Sequence, residues 1–173
     1  MLTFLLPYGK IGRYTYIKEY AMIVTFCGHA NFSGSNEYEK KILSFLEDTV
    51  GDSVADMYLG GYGGFDEFAY RCCKKYQNTH PNISLVFVTP YLTLDYQRNH
   101  LNIQKDRYDL ILFPEIEDKP NRFAIVYRNR YMVEMADYVV AYVSHSWGGA
   151  YETYRYAKRK DKHIINLAAF EEK

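Results

Sequence analysis

The sequence predicts a single-domain α/β fold of the Rossmann-like class, with a parallel sheet of about five to six strands and helices on both faces. Three observations lead to this prediction. Short, continuous apolar runs such as 22–27 are typical of strands that are covered on both faces. Helical patterns alternate with these runs about five times, which favours parallel strands. Turns rich in glycine or serine follow several strands, at the edge where open α/β sheets bind ligands.

The elements follow one another in a regular order. The predicted strands are 22–27, 57–59, 84–88, 109–113, 138–143 and 163–167, and the predicted helices are 38–48, 64–77, 121–136 and 150–160. Ser35 or Asn36 is expected to cap the first helix. The helix 64–77 carries an apolar stripe along one face. The polar connection 95–107 is expected to be helical in part.

One domain is expected for a chain of 173 residues, and we assign it to residues 22–173. Residues 1–21 are interpreted as an N-terminal extension or as an added strand, and the sequence does not decide between the two. No stretch reaches the roughly 20 apolar residues that a membrane helix needs. No membrane partner is therefore expected.

The composition bounds the partners of the chain. Lysine and arginine (21) balance aspartate and glutamate (21), so no net field attracts nucleic acid or a membrane surface. No strong nucleic-acid interaction is therefore predicted. The three cysteines, Cys27, Cys72 and Cys73, are interpreted as buried structural thiols of a cytoplasmic protein, because their number is odd and their spacing does not suit zinc. No metal and no cofactor are expected. The 19 tyrosines suit a pocket that stacks on bases or sugars, although many can simply line the core.

The most conspicuous motif is the turn 60–66, Gly-Gly-Tyr-Gly-Gly-Phe-Asp, between a short strand and a helix. The crowded glycines indicate either a tight turn or a ligand that lies against bare backbone. Asp66 and Glu67 would repel a phosphate, so we expect this turn to face ribose hydroxyls or a base edge. Asp66 has an alternative role as a charge that favours the helix N-terminus. The predicted ligand-binding residues here are Gly60, Gly61, Gly64, Phe65 and Asp66.

The second turn, Ser-His-Ser-Trp-Gly-Gly-Ala at 144–150, leads into another helix. A helix N-terminus offers unpaired N–H donors, and glycines allow a phosphate to approach them. We therefore predict a phosphate site here. The predicted ligand-binding residues are Ser144, Ser146, Gly148, Gly149 and Ala150. Glu152 is the nearest carboxylate and would serve as base or cation stabiliser if a glycosidic bond is cleaved.

Further candidates lie on the helix 121–136 and in two other turns. Arg128 shares a helix face with apolar Met132, which favours an arginine that points into a site, although a solvated basic face is the alternative. Asn129 lies beside it. The turns after two strands add Gly28, His29 and Pro90 as predicted ligand-binding residues. His29 could equally be a loop histidine without a role, and His145 has the same standing.

Two motifs together resemble a known group. Gly-Gly-X-X-Gly-Phe-Asp after the second strand, and RNRYMVEMADYVVAYV…GGAYETYRYAKRKDKHIINL near the end, resemble the SLOG superfamily, named for the Smf/DprA and LOG proteins. The similarity covers residues 22–168 and is greatest to the YspA/YoqJ-like branch of Firmicutes and their phages. It implies a Rossmann-like fold and a nucleotide-type ligand. Dimers are common in the group, so it also allows a homodimer, which no residue of the sequence predicts.

The resemblance also implies a reaction. LOG enzymes release the base of a nucleoside 5′-monophosphate with an arginine and a glutamate, and Arg128 and Glu152 fall at the matching positions. The Pro-Gly-Gly-X-Gly-Thr turn of those enzymes is absent, however, so the ligand class carries over better than the reaction.

Three functions follow as hypotheses. The first is binding or sensing of a nucleotide-derived ligand, a phosphorylated nucleoside or an ADP-ribose-like molecule, in the crevice at the strand ends. The alternative is a hydrolase that cleaves the N-glycosidic bond of a nucleoside monophosphate, with Glu152 and Arg128 as catalytic residues. The third is a scaffold with a relic site. The sequence leaves open whether the protein is an enzyme.

Overall fold

The computed structural model describes residues 2–5, 11–14 and 21–168. The described strands form one sheet in the order β2-β1-β6-β5-β4-β3-β7-β8. Their bounds are β1 (Leu2–Leu5), β2 (Ile11–Tyr14), β3 (Met22–Gly28), β4 (Ala55–Leu59), β5 (Ile83–Val88), β6 (Leu110–Phe113), β7 (Tyr138–Tyr142) and β8 (His163–Asn166). The six strands from β3 to β8 are all parallel. The predicted fold class is thus confirmed.

The N-terminal segment contributes a hairpin to this sheet. Strand β1 pairs antiparallel with β2 and with β6, so the hairpin extends the sheet beyond its parallel part. The division of the chain at Met22 into an extension and a domain stays a prediction.

The helices connect the strands, and the long ones match the predictions. Their bounds are α1 (Asn36–Thr49), α2 (Gly64–Gln77), α3 (Leu94–Tyr96), α4 (Asn102–Gln104), α5 (Ala124–Met135) and α6 (Gly148–Arg159). A π-helical stretch, Gln97–Leu101, joins α3 to α4, and a 3₁₀ turn, Asn121–Phe123, precedes α5. Ser35 caps α1, because its hydroxyl accepts a hydrogen bond from the Tyr38 N–H.

Two apolar cores enclose the sheet. One lies under α1 and α2 and contains Val24 and Phe26 of β3, whereas the other lies under α5 and α6 and contains Ile23 and Cys27. This alternation follows from side chains that point to opposite faces of a strand. The predicted stripe of α2 is buried in the first core.

The cysteines are structural, as predicted. All three are free and buried. Burial raises the pKa of the Cys27 thiol to about 12, so it stays neutral and is a poor nucleophile.

The strand order creates a switch point at β3. The chain proceeds from β3 through β4 and β5 to β6 on one side, and then returns to place β7 on the other side of β3. Ligand sites of open α/β sheets lie at such a point, outside the carboxyl ends of the strands. The loops after β3 and β7 meet there, since the His29 N–H donates to the Tyr142 carbonyl at 3.2 Å. In the described part of the chain, no helix is long and apolar enough to cross a membrane.

Candidate functional site

A cleft of about 330 Å³ opens at the switch point. Its walls are the ends of β3 and β4, the start of α6 and the inner side of α5. Nine of the predicted ligand-binding residues line it, namely Gly28, His29, Gly60, Asp66, Arg128, Asn129, Gly148, Gly149 and Ala150. The structure therefore brings most of the predicted site residues together, although it leaves open what they bind.

The remaining predicted residues do not line the cleft, and these are Gly61, Gly64, Phe65, Pro90, Ser144 and Ser146. Phe65 is fully buried, and a β-carbon at Gly28 would overlap its ring. It therefore belongs to the core and cannot contact a ligand in the cleft. Pro90 is buried at the end of β5, outside the cleft. Ser144 is exposed and lies outside the cleft lining, where its backbone N–H donates to Nε2 of His29.

Three aromatic rings form a stack at one wall. The imidazoles of His29 and His145 lie 3.6 Å apart with an angle of 16° between their planes. The Trp147 indole stacks on His145 at 3.9 Å and 18°. Trp147 is 70% exposed, so its outer face is open to a further flat ring. The stack is a ready platform for a planar ligand.

A hydrogen bond fixes the innermost ring of this stack, the imidazole of His29. Nε2 of His29 accepts from the Ser144 N–H at 3.0 Å. An accepting Nε2 requires the neutral ring with its proton on Nδ1. Burial, and then the neighbouring His145, lower the pKa of His29, which favours the same neutral form. The imidazole thus ties the loop after β7 to the end of β3.

The start of α6 forms the adjacent wall. Among the described side chains, none caps this helix. No described atom lies within 4 Å of a β-carbon placed at Gly148 or Gly149. Thr153 secures the first turn by donating from its hydroxyl to the Gly149 carbonyl at 2.9 Å, and it accepts from the Asn129 amide at 3.3 Å. The glycines at the start of α6 therefore have open space on their β-carbon side, next to the partial positive charge of a helix N-terminus.

Arg128 lies at the bottom of the cleft and is only 1% exposed. Its Nη1 donates to the Val88 carbonyl at 3.3 Å, and its guanidinium lies 5.3 Å from the centre of the Tyr62 ring. Its Nε has no hydrogen-bond partner in the described part of the chain. Burial lowers the pKa of Arg128, and the nearby Asp66 opposes this shift. Arg128 is therefore a buried cation beside the cleft, whereas Arg122 and Arg130 are exposed.

The two carboxylates of the first glycine turn have separate roles. Asp66 accepts a hydrogen bond from the Tyr62 N–H at 2.8 Å. Burial raises its pKa to about 6, and the charge of Arg128 and this hydrogen bond limit the rise. Glu67 points elsewhere and pairs with Arg107 at 2.6 Å. Only one carboxylate therefore faces the cleft, which corrects the expectation that two would repel a phosphate there.

The glycines of this turn face the protein itself. A β-carbon at Gly60 would overlap Nη1 of Arg128, and one at Gly61 would lie 2.6 Å from the Phe87 ring. At Gly64 it would lie 2.7 Å from the Ala30 carbonyl oxygen, which already accepts the Gly64 N–H. Of the two explanations for the crowded glycines, a tight turn or a ligand against bare backbone, the structure therefore favours the tight turn.

Glu152 does not support a catalytic role. Its side chain is exposed, lies outside the lining of the cleft and pairs with Arg155 at 3.2 Å. Glu152 lies on the outer side of α6, because the buried inner side of this helix carries Thr153 and Ala157. In addition, the described residues contain no group of three or more histidines, cysteines or acids that could hold a metal ion.

Several residues that line the cleft were not among the predicted site residues. The most prominent are Tyr62 and Trp147. A usable signal was present, since Trp147 is the single tryptophan of the chain and lies in a polar turn.

No protein-family model matches the sequence, and no curated protein is similar to it in sequence. Solved structures of similar fold include DNA processing protein A from Helicobacter pylori, in work on its single-stranded DNA binding mode, with a TM-score of 0.56 and 17% identity. The match covers 84% of this chain and 65% of that one. DNA processing protein A (DprA) from Streptococcus pneumoniae matches with a TM-score of 0.57 and 15% identity, over 83% of this chain and 49% of that one.

These neighbours show the fold. At 15–17% identity, the similarity to this chain is one of fold. The chain spans about half to two thirds of the length of these neighbours.

The same comparison corrects two predictions. The nucleotide-sensing module and its hydrolase alternative find no support, because the neighbours are DNA processing proteins and the H. pylori structure concerns single-stranded DNA. The prediction of no nucleic-acid interaction is contradicted for the same reason, since these neighbours point to a nucleic-acid partner. Net charge is a weak guide to such a partner because it sums the whole surface, whereas proteins hold single-stranded DNA by a local charged groove and by stacking.

Proposed function

We propose that the protein binds single-stranded DNA in the cleft at the carboxyl ends of β3 and β4, beside the start of α6. The observation that carries this proposal is the exposed Trp147 ring at the N-terminus of α6. This ring stacks on His145, which in turn stacks on His29. Proteins that bind single strands without sequence preference combine aromatic platforms with backbone contacts. A duplex hides its base faces, so this arrangement suits an unpaired base.

The neighbouring groups fit the rest of a nucleotide unit. The first N–H groups of α6 can donate to a backbone phosphate, and the two glycines leave room for it. The buried charge of Arg128 lies beside the cleft, close to the Asp66 carboxylate, and its unpartnered Nε is itself buried. The likeness in fold to a protein with a described single-stranded DNA binding mode supports the same ligand.

The balanced charge of the chain limits the electrostatic share of binding. Each phosphate contact with single-stranded DNA contributes about −0.7 to the slope of log K against log salt. With one or two phosphates at α6, we expect a slope of about −1. Most of the affinity should therefore come from stacking and survive moderate salt.

The single tryptophan makes the test direct, because all tryptophan fluorescence comes from Trp147. Titration with an oligothymidylate of about 16 nucleotides should quench this fluorescence, whereas the matching duplex should not. In fluorescence anisotropy with a labelled strand, Trp147→Ala should weaken binding by about 5- to 150-fold, since a base–aromatic stack contributes about 1–3 kcal/mol. Leu94→Ala is the matched control, because Leu94 is 72% exposed and lies outside the cleft.

Two results would contradict the proposal. One is the absence of binding to single strands at low salt. The other is binding that Trp147→Ala leaves unchanged, which would place the DNA on another surface.

Finer assignments accompany this proposal. The two motifs support membership of the SLOG superfamily and, within it, of the YspA/YoqJ-like branch of Firmicutes and phages. They support in the same way a domain at 22–173, and the three free cysteines support a cytoplasmic location. The predicted residues that line the cleft are proposed as its walls, with the DNA contacts at Gly148, Gly149 and Ala150 of the open turn.

A further inference from the structure

Tyr62 occupies an unusual position in the first glycine turn. Gly61 and Gly63 on either side of it have φ angles of +69° and +92°. Side chains are strained at such angles, so only glycine suits both positions. The two left-handed residues reverse the backbone tightly and leave Tyr62 at the top of the turn, 40% exposed and lining the cleft.

The Tyr62 side chain is held in place from several sides. Its hydroxyl lies 2.7 Å from the Tyr96 hydroxyl, and the Tyr96 ring is itself stacked on His100 at 4.7 Å. The Arg128 guanidinium lies on one side of the Tyr62 ring, and the backbone N–H of Tyr62 donates to the Asp66 carboxylate. A ring fixed in this way loses little conformational freedom when a ligand stacks on it.

The turn also places Tyr62 opposite the Trp147 stack. Tyr62 follows β4 and the loop of Trp147 follows β7, and these strands lie on the two sides of β3. Two strand spacings separate β4 from β7, or about 10 Å. Both rings line the same cleft, with Arg128 and the start of α6 in its walls.

We infer that Tyr62 is a second base platform, so that a DNA strand crosses the carboxyl edge of the sheet with one base on Trp147 and another on Tyr62. The backbone between these bases then passes the N–H groups at Gly148 and Gly149. This inference rests on the proposed binding of single-stranded DNA and adds a path and a minimum length to it. It also explains the tight glycine turn, because the turn holds the Tyr62 ring at the cleft.

The test compares strands of increasing length. Anisotropy is measured with labelled oligothymidylates from about 2 to about 16 nucleotides. Affinity of the wild type should rise with length until both platforms are occupied. Tyr62→Ala should weaken binding of the longest strand by about 5- to 150-fold and should reduce the gain with length. Tyr62→Phe keeps the ring and should stay close to the wild type.

A matched control separates a specific loss from a general one. Tyr127 lies on α5 and contacts Lys119 and Arg130 rather than the cleft, so Tyr127→Ala should bind as the wild type does. Because two bases are held at once, the fold-losses of Trp147→Ala and Tyr62→Ala should multiply in the double variant.

The outcomes distinguish this inference from the proposed function. If single strands bind and depend on Trp147 but Tyr62→Ala binds normally, the inference fails and the proposed function stands. If the wild type does not bind, both fail. A measurement on the wild type avoids any folding defect of a variant: ultraviolet cross-linking to the oligothymidylate, mapped by mass spectrometry, should label both Trp147 and Tyr62. Labelling at Trp147 without labelling at Tyr62 would overturn the second platform.

Discussion

The two glycine-rich turns at the edge of the sheet look alike in sequence and differ in what their glycines face. In the turn 60–64, β-carbons would collide with Arg128, with the Phe87 ring and with backbone atoms of residues 30 and 32. At Gly148 and Gly149, a β-carbon would meet no described atom within 4 Å. The first turn is therefore closed by the protein itself, and the second is open to a ligand. The number of glycines says nothing about this difference, because the colliding atoms come from distant parts of the chain.

The strongest test of the closed turn is Gly64→Ala. The added methyl group would lie 2.7 Å from the Ala30 carbonyl oxygen and 2.8 Å from that of Phe32, and neither backbone atom can move freely. We expect a loss of about 3 kcal/mol in the free energy of unfolding, or a fall in Tm of about 6–12 °C. Calorimetry measures this change. An unchanged Tm would show that the turn is looser than described.

Asp66 in the same region should give the stability a distinctive pH dependence. Its pKa of about 6 in the folded protein exceeds the ordinary value of 3.8, so the folded state holds this proton more tightly. The free energy of unfolding should therefore fall as the pH rises from about 4 to about 6, and then level off. Allowing for partial exposure, we expect a change of about 2 kcal/mol.

The measurement for this prediction is urea unfolding of the wild type and of Asp66→Asn across that pH range. The variant keeps an oxygen acceptor for the Tyr62 N–H but has no proton to release. The wild-type stability minus that of the variant should decline with rising pH. A flat difference would contradict the raised pKa.

The open turn is tested by Gly149→Ala, the counterpart of the first substitution. Alanine favours a helix over glycine by about 1 kcal/mol, and its methyl group has room, so Tm should stay constant or rise. The same methyl group narrows the cleft, and DNA affinity should fall about tenfold, as for the loss of one charge-assisted hydrogen bond of about 1.5 kcal/mol. Anisotropy and calorimetry on one preparation give both values. Unchanged affinity would show that no phosphate lies at the start of α6.

Glu152→Gln should have the smallest effect. The carboxylate is exposed and, among the described residues, pairs with Arg155 in the next turn of α6, so stability should change by less than about 0.5 kcal/mol. DNA affinity should also stay within about twofold of the wild type, because one exposed charge contributes little. A loss of DNA affinity of more than about tenfold would contradict this prediction and indicate that Glu152 contributes to the binding site.

The fold could be predicted from the sequence because its rules are local. The helix 64–77 was predicted with the bounds that α2 has, since glycine, acidic first turn and apolar stripe all lie within it. The site was harder, because it depends on which way a side chain points. Phe65 and Glu152 lie in motifs at the right edge of the sheet, yet one faces the core and the other faces solvent. Trp147 was not predicted because the glycines and serines beside it are the residue types expected at a phosphate site.

The N-terminal hairpin affects the molecule far from the cleft. Strand β6 ends the parallel part of the sheet, and β1 covers its outer side with antiparallel pairing. A chain that began at Met22 would leave the N–H and C=O groups along that side of β6 unpaired. An uncovered strand of this kind is a template for pairing with another chain and for aggregation. The hairpin therefore moves the edge of the described sheet from β6 to β2, the last strand in its order.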